Sequence, residues 1–380
     1  MKTKVKVLFL LLASSLVALA AWLVHVPDTV HADDVPEKYR DTVKKGLEYL
    51  AKNQCPDGHW EGDDGKHPVA MTGLVGLALL MEGSATNELS RAADKIRRMT
   101  TYDSVNIRKA VDWLIDQSKA GRDGLIFSEH PSETTRYMEG HGLATLFLAA
   151  AFMDEPDNAR RKKINDILTG AVKYIGNARS SQGGWYHTSR AEGHDLGVIS
   201  VTCIQIQALQ AAEIAGIPVP DEAVSHAREY LKMALAKYKD GAGSGQNPGR
   251  TADTAAAVAC CFPNKFTRRQ TVDELGEKWF KYCQAEIPMG RDIKFGRDEL
   301  VHYYYAQALF SLDIDDAWNT YRTAMFDHLQ SSQKKDGSWP ASDDIGVGPV
   351  YATALWCTVL QLDKRSHPLL RYSIAESLVN

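Results

Sequence analysis

The chemistry-bearing residues of this chain stand where otherwise apolar stretches begin. His67, Glu139, His141, His194, Asp195, Arg250, Asp253 and His302 each open, or sit just ahead of, a run of Ala, Leu, Val and small residues. Histidine and carboxylate side chains brought together can move protons near neutral pH. Asp195, Asp253, His141, His194 and His302 are therefore the candidate catalytic residues. Arg250 could pair with an anionic group, and Tyr186, Tyr303 and Tyr351 could stack on a sugar or face a carbocation, which makes these four the candidate ligand contacts. These residues by themselves imply no cofactor. For any one of these residues the commoner role is structural, because acids cap helix starts and buried histidines satisfy backbone groups. Their concentration in one layer is what makes a site worth testing.

The elements that must carry this layer repeat. Lys45-Gly-Leu-Glu-Tyr49-Leu50-Ala-Lys-Asn-Gln54-Cys-Pro-Asp-Gly58-His-Trp60 returns in degraded form along the chain. Its helical half reappears at Trp113-Leu114, Tyr174-Ile175, Tyr230-Leu231, Trp279-Phe280 and His328-Leu329, and its loop half at Gly183-Gly184-Trp185 and Gly337-Ser-Trp339. That makes six copies at a spacing of roughly fifty to sixty-five residues, long enough for two helices and their loops. Six apolar segments alternate with them: 71–81, 142–152, 196–215, 254–262, 300–312 and 351–362. A helix apolar nearly all round is buried on most sides, whereas the repeat helices, with Lys44, Lys45, Glu48 and Lys52 around Leu47, Tyr49 and Leu50, are amphipathic. Hairpins of this kind bury their faces only against one another. The expectation is an all-α (α/α)6 toroid with charged helices outside and apolar helices inside. All inner N-termini would then point to one mouth. Gln54, Trp60, Trp185, Gln333 and Trp339 read as fasteners between repeats, the Gly giving the sharp turn and the indole wedging between hairpins.

Residues 1–32 read as a signal peptide. Lys2, Lys4 and Lys6 precede an apolar run of about seventeen residues, at the low edge of what spans a bilayer, and Val30-His31-Ala32 supplies the small-residue cleavage pattern. Residues 33–380 would be the exported body, periplasmic, secreted or held at the envelope, with membrane contact only through an uncleaved signal. A net charge of −4 with no basic stripe argues against nucleic acid as a partner. Four of the six cysteines, Cys203, Cys260, Cys261 and Cys357, fall within apolar stretches and read as buried hydrophobes rather than a disulfide framework. No paired CxxC marks a zinc module.

On the quoted repeat the chain resembles the prenyltransferase and squalene oxidase repeat group. Residues 45–60 carry the QW motif of squalene and hopene cyclases throughout; residues 170–185 match with Arg179 where Gln is usual, and 323–339 with His328 at the aromatic position. The resemblance spans about 35–380 and implies the toroid. It leaves activity open, since the same fold serves protein prenyltransferase β subunits, complement-type domains and some polysaccharide lyases. Short exported chains with this pattern are similar to ones in planctomycete-like bacteria. The resemblance also supplies two tests. Class II terpene cyclases protonate an alkene through an Asp-x-Asp-Asp motif, and Asp313-Ile314-Asp315-Asp316 matches as a string. It precedes an outer helix, where Asp caps free N–H groups, rather than opening an inner one. Protein prenyltransferases hold zinc through Asp, Cys and His; Asp253 and His302 fall at matching places, but Ala255 stands where Cys is needed. The reading that follows is an exported toroid binding a small hydrophobic or saccharide ligand, or a protein partner, in its central cavity, with no reaction assignable. Its alternatives are an isoprenoid cyclase-like enzyme with Asp195 or Asp253 as acid, and a polysaccharide lyase or hydrolase.

Overall fold

The computed structural model describes residues 35–83, 102–236, 248–261, 274–291, 297–311, 315–342, 347–364 and 367–369. The signal-peptide reading and Asp313-Ile314 lie outside them; Arg250 is described in its backbone only. Twelve α-helices and no strand occur among the described residues: α1 Glu37–Lys52, α2 Pro68–Gly83, α3 Tyr102–Ala120, α4 Tyr137–Asp154, α5 Asn158–Ala178, α6 Ile199–Ile214, α7 Asp221–Ala236, α8 Pro248–Cys261, α9 Glu274–Glu286, α10 Asp298–Ser311, α11 Asp315–Ser332 and α12 Gly348–Leu360. None of them is long and apolar enough to cross a membrane.

The even-numbered helices form a closed inner ring. Each packs on the next in the order α2, α4, α6, α8, α10, α12, and α12 packs back on α2. Each odd-numbered helix lies against the inner helices beside it, so the molecule is an α/α toroid of six hairpins. Sequence decides the assignment. In α4, Ala144 to Phe152 is buried without interruption, while α5 buries only its stripe Ile164, Leu168, Ala171, Val172, Ile175 and Ala178. That contrast is the one between a jacketed helix and a surface one.

The fasteners repeat in detail. The indole N–H of Trp60, Trp185 and Trp339 donates to the carbonyl ten residues earlier, Leu50, Ile175 and Leu329, at 2.7, 2.7 and 2.9 Å. The backbone N–H of the same three residues donates to the hydroxyl of Thr72, Thr202 and Thr353 on the following inner helix, at 3.0, 3.0 and 3.1 Å. Gln54 spans its own loop to Gly58 O (2.7 Å) and the next outer helix at Asn106 O (2.8 Å). Gln333 does the same with Gly337 O and Thr42 O, both at 2.9 Å, and so joins the last repeat to the first. Gly58 and Gly183 sit at φ +110° and +97°, and a Cβ there would come within 2.6 and 2.7 Å of the Lys109 and His226 carbonyls. Only glycine combines that backbone with so close an approach.

Two further loops belong to the series although they lack the Trp. Gly124, at φ +97°, precedes Ile126, whose N–H donates to Nδ1 of His141 at 3.0 Å. Gly290, at φ +73°, approaches the Ala324 carbonyl of α11 in the same way. All six cysteines are unpaired thiols.

Candidate functional site

Most inner helices begin earlier than their apolar runs. α2, α4, α8, α10 and α12 start two to six residues before the apolar segments at 71, 142, 254, 300 and 351. Glu139, His141, Asp253 and His302 therefore lie inside the first two turns, where their directions are set by helix packing, instead of forming a rim.

His141 is fully buried and both ring nitrogens are used: Nδ1 accepts from Ile126 N, and Nε2 donates to Ala171 O at 3.3 Å. It occupies the place that Thr72, Thr202 and Thr353 take in other repeats. Burial pulls it down to about 4, so it stays neutral in this fastening role. His302, also buried, meets Tyr321 Oη through Nδ1 at 3.1 Å and is held neutral, its ordinary value lowered to about 3 by burial and then by His328. Its Nε2 has no hydrogen-bond partner among the described residues.

Asp195 and His194 are exposed on the loop before α6. The Asp195 carboxylate accepts from Ser181 N and Oγ, each at 2.6 Å, and these bonds hold it below the usual carboxylate range. That environment suits an anion and disfavours a proton donor. His194 Nδ1 meets Thr188 Oγ1 at 2.8 Å, and its ring lies 5.1 Å from that of Tyr186. Tyr186 also touches His187, whose Nδ1 is 2.6 Å from Glu139 Oε1; Arg136 reaches the same oxygen at 3.0 Å. Tyr186, His187, His194 and Glu139 thus form one group over the start of α4. Asp195 turns to Ser181, and His141 and His302 are enclosed elsewhere.

Asp253 has a different environment. It lies on α8, among Ala252, Thr254, Ala255 and Ala256, all buried. No hydrogen bond or ion pair to its carboxyl occurs among the described residues. Burial raises it to about 6, against the pull of the Arg297 guanidinium. Arg297 itself adopts φ +118°, a conformation that favours glycine, and its N–H and that of Asp298 donate to Ser342 Oγ at 2.9 and 2.7 Å.

The partly exposed residues in the first turns of the inner helices show what surrounds this acid. They include Glu139 and Leu143 on α4, Ser200 and Ile204 on α6, Asp253 on α8, Leu300 on α10 and Tyr351 on α12. Within α4 and α6 they are four residues apart, hence on one face. Each of those two pairs sets a polar residue above an aliphatic one. Outer helices jacket the ring, so that face is the one turned to the interior. Further down, Gln207 of α6 donates to Gln307 of α10 at 2.9 Å, both buried, and narrows the ring there. The partly exposed positions on that face are thus Leu143, Ile204, Leu300 and Tyr351, with Glu139 and Ser200 a turn earlier, and among them a carboxyl that burial raises to about 6. Tyr303 of α10, buried and packed edge-on against Tyr304, has no hydrogen-bond partner for its hydroxyl among the described residues. Asp253 and His302 join no group of three metal-ligating side chains among the described residues.

The architecture defined by this geometry is an α/α toroid, a fold it shares with solved type II terpene cyclase structures. The solved structures it resembles include the type II terpene cyclase MstE from Scytonema, apo, at TM-score 0.53 and 15% identity, covering 88% of this chain and 100% of that one. They also include an Asp-to-Asn variant of it with its substrate geranylgeranyl dihydroxybenzoate (TM-score 0.52, 15% identity, 87% and 97% covered). A third is a complex with the product merosterolic acid A (TM-score 0.50, 15% identity, 88% and 96% covered). At that identity the likeness is one of fold. No family model matches the chain, and no curated protein matches it.

Proposed function

We propose that the ring takes an apolar isoprenoid-class ligand into its interior and that Asp253 protonates it, as the acid of a terpene cyclase-like reaction. The observation that carries this reading is the Asp253 carboxyl: on an inner helix, with no hydrogen bond or ion pair among the described residues, and raised by burial to about 6. An acid in that state is still partly protonated near neutral pH, and its conjugate base would sit beside the cation it creates. Protonation of an alkene carbon breaks the Asp253 O–H bond and leaves a carbocation. Ring closure moves the positive charge along the chain, and loss of a proton or capture of water ends the reaction. Tyr351, half-exposed on the same lining, can offer a π face to the cation.

Ligand binding without turnover is the second reading. It is favoured by the setting of Asp253, whose carboxyl makes no hydrogen bond to a base among the described residues. The same proposal takes the fastening loops as QW repeats, supported by the Trp and Gln bonding shared by the first and last repeats, and the chain as exported, supported by the pattern of residues 1–32.

The test is to incubate the purified protein with squalene and with geranylgeranyl-bearing substrates at pH 5 to 7 and analyse products by mass spectrometry. A cyclised product that Asp253→Asn reduces about 10²–10⁴-fold, with substrate still bound, supports catalysis. Binding by both forms with no product supports the receptacle. Neither binding nor product in either form removes both.

A further inference from the structure

The loop after α1 holds a second constellation, separate from the interior. Alternate residues there are Cys55, Asp57, His59 and Glu61. One ligand atom each from Cys55, His59 and Glu61 lies within 4.8 Å of the others, and no other such group occurs among the described residues. A zinc ion, with bonds of about 2.0–2.3 Å to N, O and S, fits between atoms at that separation after small side-chain adjustments.

His59 is arranged as a ligand. Its Nδ1 lies 2.6 Å from Asp57 Oδ1, which assigns the proton to Nδ1 and leaves the lone pair at Nε2. Asp57 is fixed in turn by the Trp113 indole N–H, which donates to Oδ2 at 3.1 Å, and the Trp113 ring stacks on His59 with centroids 4.9 Å apart. Nε2 then faces Glu61 Oε2 at 3.3 Å. Two electron-rich atoms so disposed require a cation, either a proton or a metal. Cys55 N donates to His59 O at 2.9 Å, folding the loop so that the two residues lie side by side.

We infer that Cys55, His59 and Glu61 bind one zinc-class divalent ion, with Asp57 orienting His59 from behind. The thiolate and imidazole donors select zinc over calcium or magnesium. Three protein ligands leave the fourth position to water. The bound ion would brace the first loop between two neighbours: Asp57 is bonded to Trp113 on α3, and Gly62 packs against the Val347 carbonyl ahead of α12.

The test uses the full chain, stripped with chelator and kept reduced, titrated with Co²⁺ and then Zn²⁺. One equivalent of Co²⁺ is expected to bring a near-ultraviolet thiolate-to-metal band and the intense visible bands of a four-coordinate site, both removed by Zn²⁺. Cys55→Ser should abolish the thiolate band, and Asp57→Asn should keep it while weakening affinity about 10–100-fold. Zn²⁺ should raise the melting temperature of the unsubstituted protein and leave that of Cys55→Ser unchanged. If Cys55→Ser fails to fold, Glu61→Gln, which leaves the thiol in place, should give the band at lower affinity. A stoichiometric Co²⁺ complex without the thiolate band, or affinity unmoved by Cys55→Ser and Asp57→Asn, overturns the assignment, as does no binding.

Discussion

The wedged tryptophans of the first, third and last repeats and the polar side chains in the wall from α8 to α10 are satisfied in opposite ways. In the loops, each Trp satisfies both its indole and its backbone N–H, and Thr72, Thr202 and Thr353 are placed to accept. In the wall, the Asp253 carboxyl makes no hydrogen bond or ion pair among the described residues, while His302 Nε2 and Tyr303 Oη are buried and have no hydrogen-bond partner there. An unmade bond to a buried polar group costs about 1–3 kcal/mol. The loops are therefore the part of the ring built for stability. The wall gives stability up, which is the pattern of a surface kept for something other than folding.

The comparison predicts its largest effect at Trp339, which closes the ring. The side chain is almost wholly buried and lies against Gly46 of α1, where a Cβ would come within 3.1 Å of the indole. Trp339→Ala should cost about 3–5 kcal/mol through lost burial and an unfilled cavity. Urea unfolding measures this; a loss under about 1 kcal/mol, the size of a single hydrogen bond, would show that closure does not depend on the wedge.

Asp253 should respond with the opposite sign. Its folded value of about 6 stands above the ordinary 3.8, so the stability it contributes is complete below the lower value and is lost as pH rises through the upper one. Asp253→Asn should accordingly be more stable than the unsubstituted protein by up to about 3 kcal/mol at pH 7.5. The gap should close below pH 4. Thermal melts from pH 4 to 8 read the difference. An Asn variant that is less stable at pH 7.5 would mean that Asp253 has a partner, and the contrast between loops and wall would fail there.

The ring is readable in the sequence because its two helix types differ in composition along their whole length, and because Gly-x-Trp leaves a visible mark at residues 58–60, 183–185 and 337–339. The second loop escapes for a physical reason. Ile126 fills the Trp place, so the motif vanishes while the positive-φ glycine at 124 and the N–H it presents remain. That substitution explains His141, which looks like chemistry in sequence and acts as a hydrogen-bond acceptor in the fold. Glu133 escapes as well: it lies outside any helix, yet its carboxyl accepts from Val69 N and Ala70 N and caps α2 across a separation of more than sixty residues. No local pattern encodes such a bond. Asp253 and Asp195 are indistinguishable as acids in sequence because the difference is burial, and burial depends on where each inner helix starts. Residues 55–61 stand out in sequence for their Gln-Gly-Trp frame. The ligating side chains between those positions become visible only when the turn brings alternate residues together.

The smallest expected effect tests whether the third loop is a full member of the fastening set. Arg179 stands where Gln54 and Gln333 stand, four residues before the turn glycine. A glutamine amide donates both to its own loop and to the next outer helix, whereas among the described residues the Arg179 guanidinium reaches Glu222 O alone, at 3.4 Å. Arg179→Gln would restore a donor short enough to bond Gly183 O and Glu222 O together. The gain should be about 0.5–1 kcal/mol, the worth of one added hydrogen bond at a half-exposed position. A matched set of urea melts for this variant, for Gln54→Arg and for the parent reads it, and Gln54→Arg should lose a similar amount. If both substitutions are neutral, the bond between outer helices contributes little and the wedged Trp alone carries the fastening. If Arg179→Gln destabilises, the longer side chain is matched to a wider gap between α5 and α7, and the ring is less regular at its third joint than at its first.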